Sequence, residues 1–279
     1  MSAISAGAVK SLRDRTNAPM MDCKAALTEA NGDMEKAVEI LRKKNAAIQA
    51  KKGERETAEG RVAIHIDNSK NLGSLIEVRC ESGPVTSSDH FISLANDLAS
   101  QVSAANPESV EALLAQAYHK EPGRKVNDRI GDVVGLIREN MKPARFKRFD
   151  KGIFGGYVHH DGTVGVLLQV EGDKADEVLL RDVCMHIAAK NPAAGTREEV
   201  NKETVDREME IAREQAAATG KPANIVEKIA EGKVKTWFAE NVLLEQPFVK
   251  DDKKTVGDLL KGAGLKFVRF VRYRVGELS

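Results

Sequence analysis

The residues that come closest to forming a chemical site are His159 beside His160, Cys184 two positions before His186, and the isolated Cys23 and Cys80. Adjacent histidines could ligate a metal. On a strand, however, successive side chains point to opposite faces, so this pair shares one four-coordinate ion only if a turn rearranges it. Cys184 and His186 could act as nucleophile and base, but positions two apart on a helix do not share a face. Cys23 and Cys80 fit the role of small apolar core fillers. No glycine loop of the phosphate-cradling or dinucleotide kind is present. We therefore expect no catalytic residue, no metal site and no cofactor, and a protein that acts by surface complementarity rather than covalent chemistry.

The bulk properties fit that expectation. A length of 279 residues predicts about two domains. Basic and acidic residues nearly cancel, 43 against 42, so direct nucleic-acid binding is not expected. Three cysteines without metal spacing point to a reducing, cytoplasmic setting. The start MSAISAGAVK lacks the apolar stretch of a signal peptide, and no run is long enough to span a bilayer.

The elements are legible from spacing. Residues 12–41 read as helices with Cys23, Ala26, Leu27 and Ala30 on one face and Met34, Ala37, Val38 and Leu41 on the facing stripe. Pro19 suits a first helical position. Asn31-Gly32 is a stop, and Asp33 caps the next helix. With Ile4–Leu12 this makes a three-helix module whose last helix runs into a charged linker.

Val62, Ile64 and Ile66, then Ile76, Val78 and Cys80, alternate as a hairpin with one face in a core. Three helices are predicted next. Their apolar positions are Phe91, Leu94, Ala95, Leu98 and Val102; Val110, Leu113, Leu114 and Ala117; and Val126, Ile130, Val133, Val134, Ile137 and Met141, stopped by Pro143. A second hairpin, 153–170, turns at His160-Asp161-Gly162. A helix follows from about Ala175 to Lys190, with Val178, Leu179, Val183, His186 and Ile187 inward. Hairpin followed by helix in both halves implies an internal structural repeat. Residues 198–240 read as an Ala-rich antiparallel helical hairpin standing away from the body. A loop, a short helix at 256–261 and a last strand around 266–275 complete an α+β fold.

LRDRTNAPMMDCKAAL followed by TEANGDMEKAV closely resembles the N-terminal module of the elongation factor Ts family. LLRDVCMHIAAKNP (179–192) and EQPFVKDDKKTVGDLL (245–260) resemble two further motifs of that family, in order. The resemblance implies a ubiquitin-associated-like module (1–54), a first core subdomain (55–143), and a second (144–279) carrying the helical arm. It also implies guanine-nucleotide exchange on the GTPase elongation factor Tu, without covalent chemistry. The alternative is a non-exchanging or holdase partner of the same GTPase. The arm is a candidate surface for pairing with a second copy.

Carried over position by position, the family's contact surface falls on Arg13, Met20, Met21, Lys24, Lys52, Ile130, Gly131, His159 and Val249. By residue type alone, Met20 and Met21 fit core filling equally well, and Ile130 also fits the core stripe. Pro19 departs from the family's usual small residue. After Cys80 the family carries Thr-Asp-Phe, whose ring wedges near the GTPase's magnesium site. Here Ser82, Gly83 and Pro84 stand instead, without carboxylate or ring. The end at Gly276-Glu277-Leu278-Ser279 implies that an additional C-terminal module of some relatives is missing.

Overall fold

The computed structural model describes residues 4–174 and 176–277. Three helices come first, α1 (Ala6–Thr16), α2 (Met20–Glu29) and α3 (Met34–Lys52). Their starts and stops are local chemistry. Ser5 Oγ accepts from the Ala8 N–H at 3.1 Å and an Asp33 carboxylate oxygen from the Lys36 N–H at 3.0 Å. Asn31 and Gly32 turn the chain with φ 52° and 87°. Pro19 is the residue before α2 rather than its first member. Leu12, Cys23, Ala26, Leu27, Ala37 and Leu41 close a small core of their own.

The remainder is one scheme used twice. The first half runs β1 (Glu59–Asp67), β2 (Leu72–Cys80), α4 (Gly83–Thr86), α5 (Asp89–Ala105), α6 (Val110–Ala115), β3 (Ala117–Tyr118), β4 (Glu121–Lys125), α7 (Val126–Ile137) and β5 (Met141–Asp150). The second runs β6 (Ile153–Val158), β7 (Val164–Glu171), α8 (Glu177–Lys190), the arm helices α9 (Lys202–Ala217) and α10 (Ala223–Asn241), then β8 (Pro247–Phe248), β9 (Asp251–Thr255), α11 (Val256–Gly262) and β10 (Lys266–Arg274). Each half makes an antiparallel sheet whose central strand is the second of its first hairpin, with orders β1-β2-β5 and β10-β7-β6.

The two sheets pack face to face through Val62, Leu75, Phe149, Phe154, Leu167 and Tyr273. Helices cover the outer faces: Ile76, Val78 and Cys80 share a cluster with Phe91, Leu94, Leu98, Val126 and Ile130, and Val166, Leu168 and Val170 share one with Leu180, Val183, Ile187 and Leu260. The layers are therefore helix, sheet, sheet, helix, an α+β arrangement preceded by the three-helix region.

Several expectations are corrected. β2 is buried on both faces, not one, because the second sheet covers the face that solvent would otherwise take. Glu77, on that face, is only 2% exposed and is paired with Arg79 at 2.9 Å and Arg145 at 2.7 Å. The helix expected to reach Met141 ends at Ile137, where Arg138 takes the left-handed conformation, and Met141 begins the unexpected strand β5. Pro143 is tolerated there because β5 pairs on one side only and its register shifts between Glu77 and Val78. Ala117 belongs to β3, not to α6. Val178, expected inward, is 72% exposed, while Val183, His186 and Ile187 are buried. Ala175, the expected start of that helix, lies outside the described residues, as do Leu278 and Ser279.

Candidate functional site

The sequence-singled residues fall into an exposed set and a buried set. In the three-helix region, α2 turns Cys23, Ala26 and Leu27 inward, which leaves its first turn facing outward. Met20 and Met21 are 57% and 70% exposed, so core filling is ruled out for both. Arg13 and Lys24 beside them are exposed. Met20 also borders a shallow hollow with Arg13, Asn17, Pro19, His90 and Leu136. Two unbranched thioethers rimmed by cations make an adaptable apolar contact of the kind protein interfaces use.

The second exposed set is the turn after β2. Cys80 is buried, and burial pushes its thiol up to about 12. Ser82 then donates twice to Glu139, from Oγ at 2.6 Å and from its N–H at 3.0 Å. Glu81 accepts from the Asn140 N–H at 2.6 Å. These bonds hold the one-turn helix α4 so that Val85 enters the core while Gly83 and Pro84 face solvent. The tip is fixed but presents neither charge nor ring. Glu139 and Asn140, which do the fixing, had no signal in the sequence because they act from 57 and 59 residues away.

α3 links these two regions. Its 19 residues span about 28 Å at the rise of an α-helix. Lys52, half-buried, ends it. Just beyond, Asn140 Nδ2 donates to the carbonyls of Gly53 (3.3 Å) and Arg55 (2.8 Å), and Arg55 pairs with Glu81 at 3.5 Å. The charges in the cleft between this region and the first half are largely matched: Asp97 pairs with Lys120 (2.5 Å) and Arg129 (3.3 Å), and Arg124 with Asp132 (2.5 Å).

Ile130 and Gly131 are not on a free surface. Ile130 is 1% exposed within the core cluster, and Gly131 is buried beneath Gln49 of α3. Ile130 is enclosed by the first half's own core and Gly131 by α3, so neither presents a surface in this structure.

His159 and His160 do not point to opposite faces, because β6 ends at Val158 and both residues lie in the turn. Their rings meet edge to face with centroids 4.3 Å apart, and Tyr157 Oη lies 2.9 Å from His159 Nδ1. No group of three or more His, Cys, Asp or Glu side chains is placed to hold a metal ion among the described residues.

Val249 is 43% exposed in the β8–β9 turn. A histidine holds it: His186, fully buried, accepts from the Val249 N–H at Nδ1 (3.3 Å). Its Nε2 lies 2.8 Å from Gln246 Oε1, an atom that can only accept. This fixes the neutral tautomer with its proton on Nε2. Burial lowers the pKa of His186, which keeps it neutral. Burial also raises the thiol pKa of Cys184, which is wholly enclosed, and both ring nitrogens of His186 are engaged by Gln246 and Val249 rather than by that thiol. His186 was visible in the sequence as an inward helix position, but its hold on Val249 spans 63 residues.

A family model described as Elongation factor TS matches residues 84–277. The elongation factor Ts of Thioalkalivibrio sulfidiphilus (strain HL-EbGR7) is 43% identical over 276 residues, covering 98% of this chain and 92% of the relative.

Proposed function

The chain belongs to the elongation factor Ts family, and from that premise we propose that it is a guanine-nucleotide exchange factor which releases GDP from the GTPase elongation factor Tu. The 43% identity along nearly the whole chain carries this reading. The mechanism is thermodynamic linkage. A protein that binds the nucleotide-free GTPase more tightly than the GDP-bound form weakens GDP by the same factor. Two features support docking rather than covalent chemistry: the exposed Met20–Met21 pair rimmed by Arg13 and Lys24, and the fixed turn at Ser82, Gly83 and Pro84. His159 and Val249 are further contacts in this reading, and Lys52 sits where α3 approaches the turn.

We divide the chain into a module (1–54), a first subdomain (55–143) and a second with the arm (144–279). Separate apolar clusters support three units, but β5 (Met141–Asp150) pairs with β2 along its whole length and Phe146 packs on the first half's cluster, so the boundary between the two subdomains falls after Asp150 rather than at 143.

Release of a fluorescent GDP from elongation factor Tu, followed by stopped flow with this protein titrated in, tests the proposal. Acceleration by several orders of magnitude is expected, with Met20→Ala and Arg13→Ala each more damaging than Pro84→Ala. Binding without acceleration would overturn the exchange reading. The bare Gly83–Pro84 tip specifically favours the second reading, a non-exchanging or holdase partner. In that case Gly83→Asp with Pro84→Phe would be made to ask whether activity appears.

A further inference from the structure

Two glycines sit four residues apart in the 12-residue helix α7, Gly131 at its centre and Gly135 in its last turn. Glycine is the poorest helix former after proline, so a pair on one face calls for a reason. The facing helix supplies it. Asn45 and Gln49, also four apart, project from α3 onto those two positions. A Cβ at Gly131 would stand 2.9 Å from Gln49 Oε1, and a Cβ at Gly135 would overlap the Asn45 amide outright.

Both amides are then tied down on α7. Gln49 Nε2 donates to Asn127 Oδ1 at 2.9 Å and Asn45 Nδ2 to Asp132 Oδ1 at 3.3 Å. Further ties flank the seam. Asp22 of α2 receives Lys44 (2.6 Å) and Arg138 (2.5 Å). Asn140, just past α7, holds the carbonyls of Gly53 and Arg55 beyond α3. Apart from Ile48, which packs on the core cluster of the first half, the named contacts are polar. The seam's hydrogen bonds fix one angle and one register between the helices, since each amide has a single partner to meet.

We propose that Gly131 and Gly135 are positioning residues, paired notches that seat Asn45 and Gln49 and so fix the pose of the three-helix module, and with it Met20 and Met21, relative to the Ser82–Pro84 turn. Gly131 then acts by where it lets α3 lie, not by touching the partner. The inference rests on the exchange reading for its functional consequence, but the seating itself is a property of this chain alone.

The test pairs a notch filler with its compensating truncation. Gly135→Ala should lower the maximal rate of GDP release by about tenfold, because a displaced contact loses rate out of proportion to its displacement. The concentration for half-maximal effect should change by less than about threefold, since the docking side chains are untouched. Adding Asn45→Ala to Gly135→Ala removes the overlap and should return the rate to within about twofold of Asn45→Ala alone. Independently of exchange, spin labels on Lys10→Cys in α1 and Lys147→Cys in β5, both exposed, should give one narrow distance. Gly135→Ala should shift or broaden it and the double variant should restore it.

An unshifted distance in Gly135→Ala overturns the seating. A shifted distance with undiminished exchange overturns its functional role, as does a rate loss that Asn45→Ala fails to rescue. If the unmodified protein releases no GDP, the exchange reading falls, while the distances still decide the seating.

Discussion

The two halves that follow α3 share a hub of hydrogen bonds built from different residues. In the first, Gln101 stands five positions before the left-handed Asn106 that ends α5, and its Oε1 accepts from the His119 N–H at 2.8 Å. In the second, His186 stands five before the left-handed Asn191 that ends α8, and its Nδ1 accepts from the Val249 N–H. Each hub residue also reaches a glutamine, Gln116 at 3.2 Å and Gln246 at 2.8 Å. Each glutamine's carbonyl accepts from the first residue of the next helix, Val126 or Val256. Asp128 and Asp258 then cap those helices through the N–H groups of Lys125 and Thr255.

The halves differ in what fills the space between hub helix and short hairpin. The first uses the six-residue α6, the second the arm of α9 and α10. They differ also in the hub's chemistry, an amide that does not titrate against an imidazole that does. A repeated scaffold preserves bond geometry and leaves residue identity free, so the second copy can carry an insertion and an ionisable hub without altering the sheet.

The largest expected effect tests the equivalence of the hubs. Gln101→Leu and His186→Leu each strand buried partners, and urea unfolding should register a loss of about 2–3 kcal/mol for either. A cost at only one site would break the comparison.

The next effect sharpens it through pH. His186 has a folded pKa below its unfolded value, so the unfolded state binds the extra proton first. Its contribution is therefore present above the ordinary histidine range and is lost as pH falls through about 6.5 toward the folded pKa. Protonation would also place an N–H against the Val249 N–H. His186→Gln should be nearly neutral in slightly alkaline buffer and flatten the fall in stability on acidification, measured as denaturation midpoints against pH. Gln101→His should introduce a similar fall in the first half.

A smaller, local effect is expected in the arm. Ala216 and Ala230 are fully buried there. Ala230→Leu should force α9 and α10 apart at a cost of about 1–3 kcal/mol. Amide hydrogen exchange should show the lost protection confined to the arm, and spread into the sheets would contradict its independence.

The smallest effect separates the two turns. Val249→Ala should weaken binding to elongation factor Tu a few-fold, while His119→Ala at the equivalent place should leave it unchanged, by titration of the complex. Equal losses would show that the two turns are not functionally distinct.

Much of this scaffold was legible in the sequence, and the failures share one cause. The Asp33 helix cap, the stop at Asn31-Gly32 and the hairpin turn at His160-Asp161-Gly162 all depend on residues within a few positions of each other. β5 was missed because MKPARFKRFD carries four cations and a proline, with no clear alternation. Its strand identity comes from pairing with β2, some 70 residues earlier. In the site, the exposed contact candidates were nameable from the motif, but motif spacing carries no information on what covers a residue. Ile130 is hidden in the first half's core, Gly131 by Gln49 of α3, and Ser82 is held by Glu139.

The sequence by itself determined the Asp33 cap, the first hairpin turns, the α+β order of most elements and the family to which the chain belongs, because capping, periodicity and turn chemistry act over a few residues. Tertiary structure alone decided that both faces of β2 are buried, that Glu77 is an interior charge with two arginine partners, that the histidine rings meet, and that two glycines seat a helix 80 to 90 residues away. Burial and helix approach are set by surfaces that meet only when distant segments pack, and no local window contains both partners.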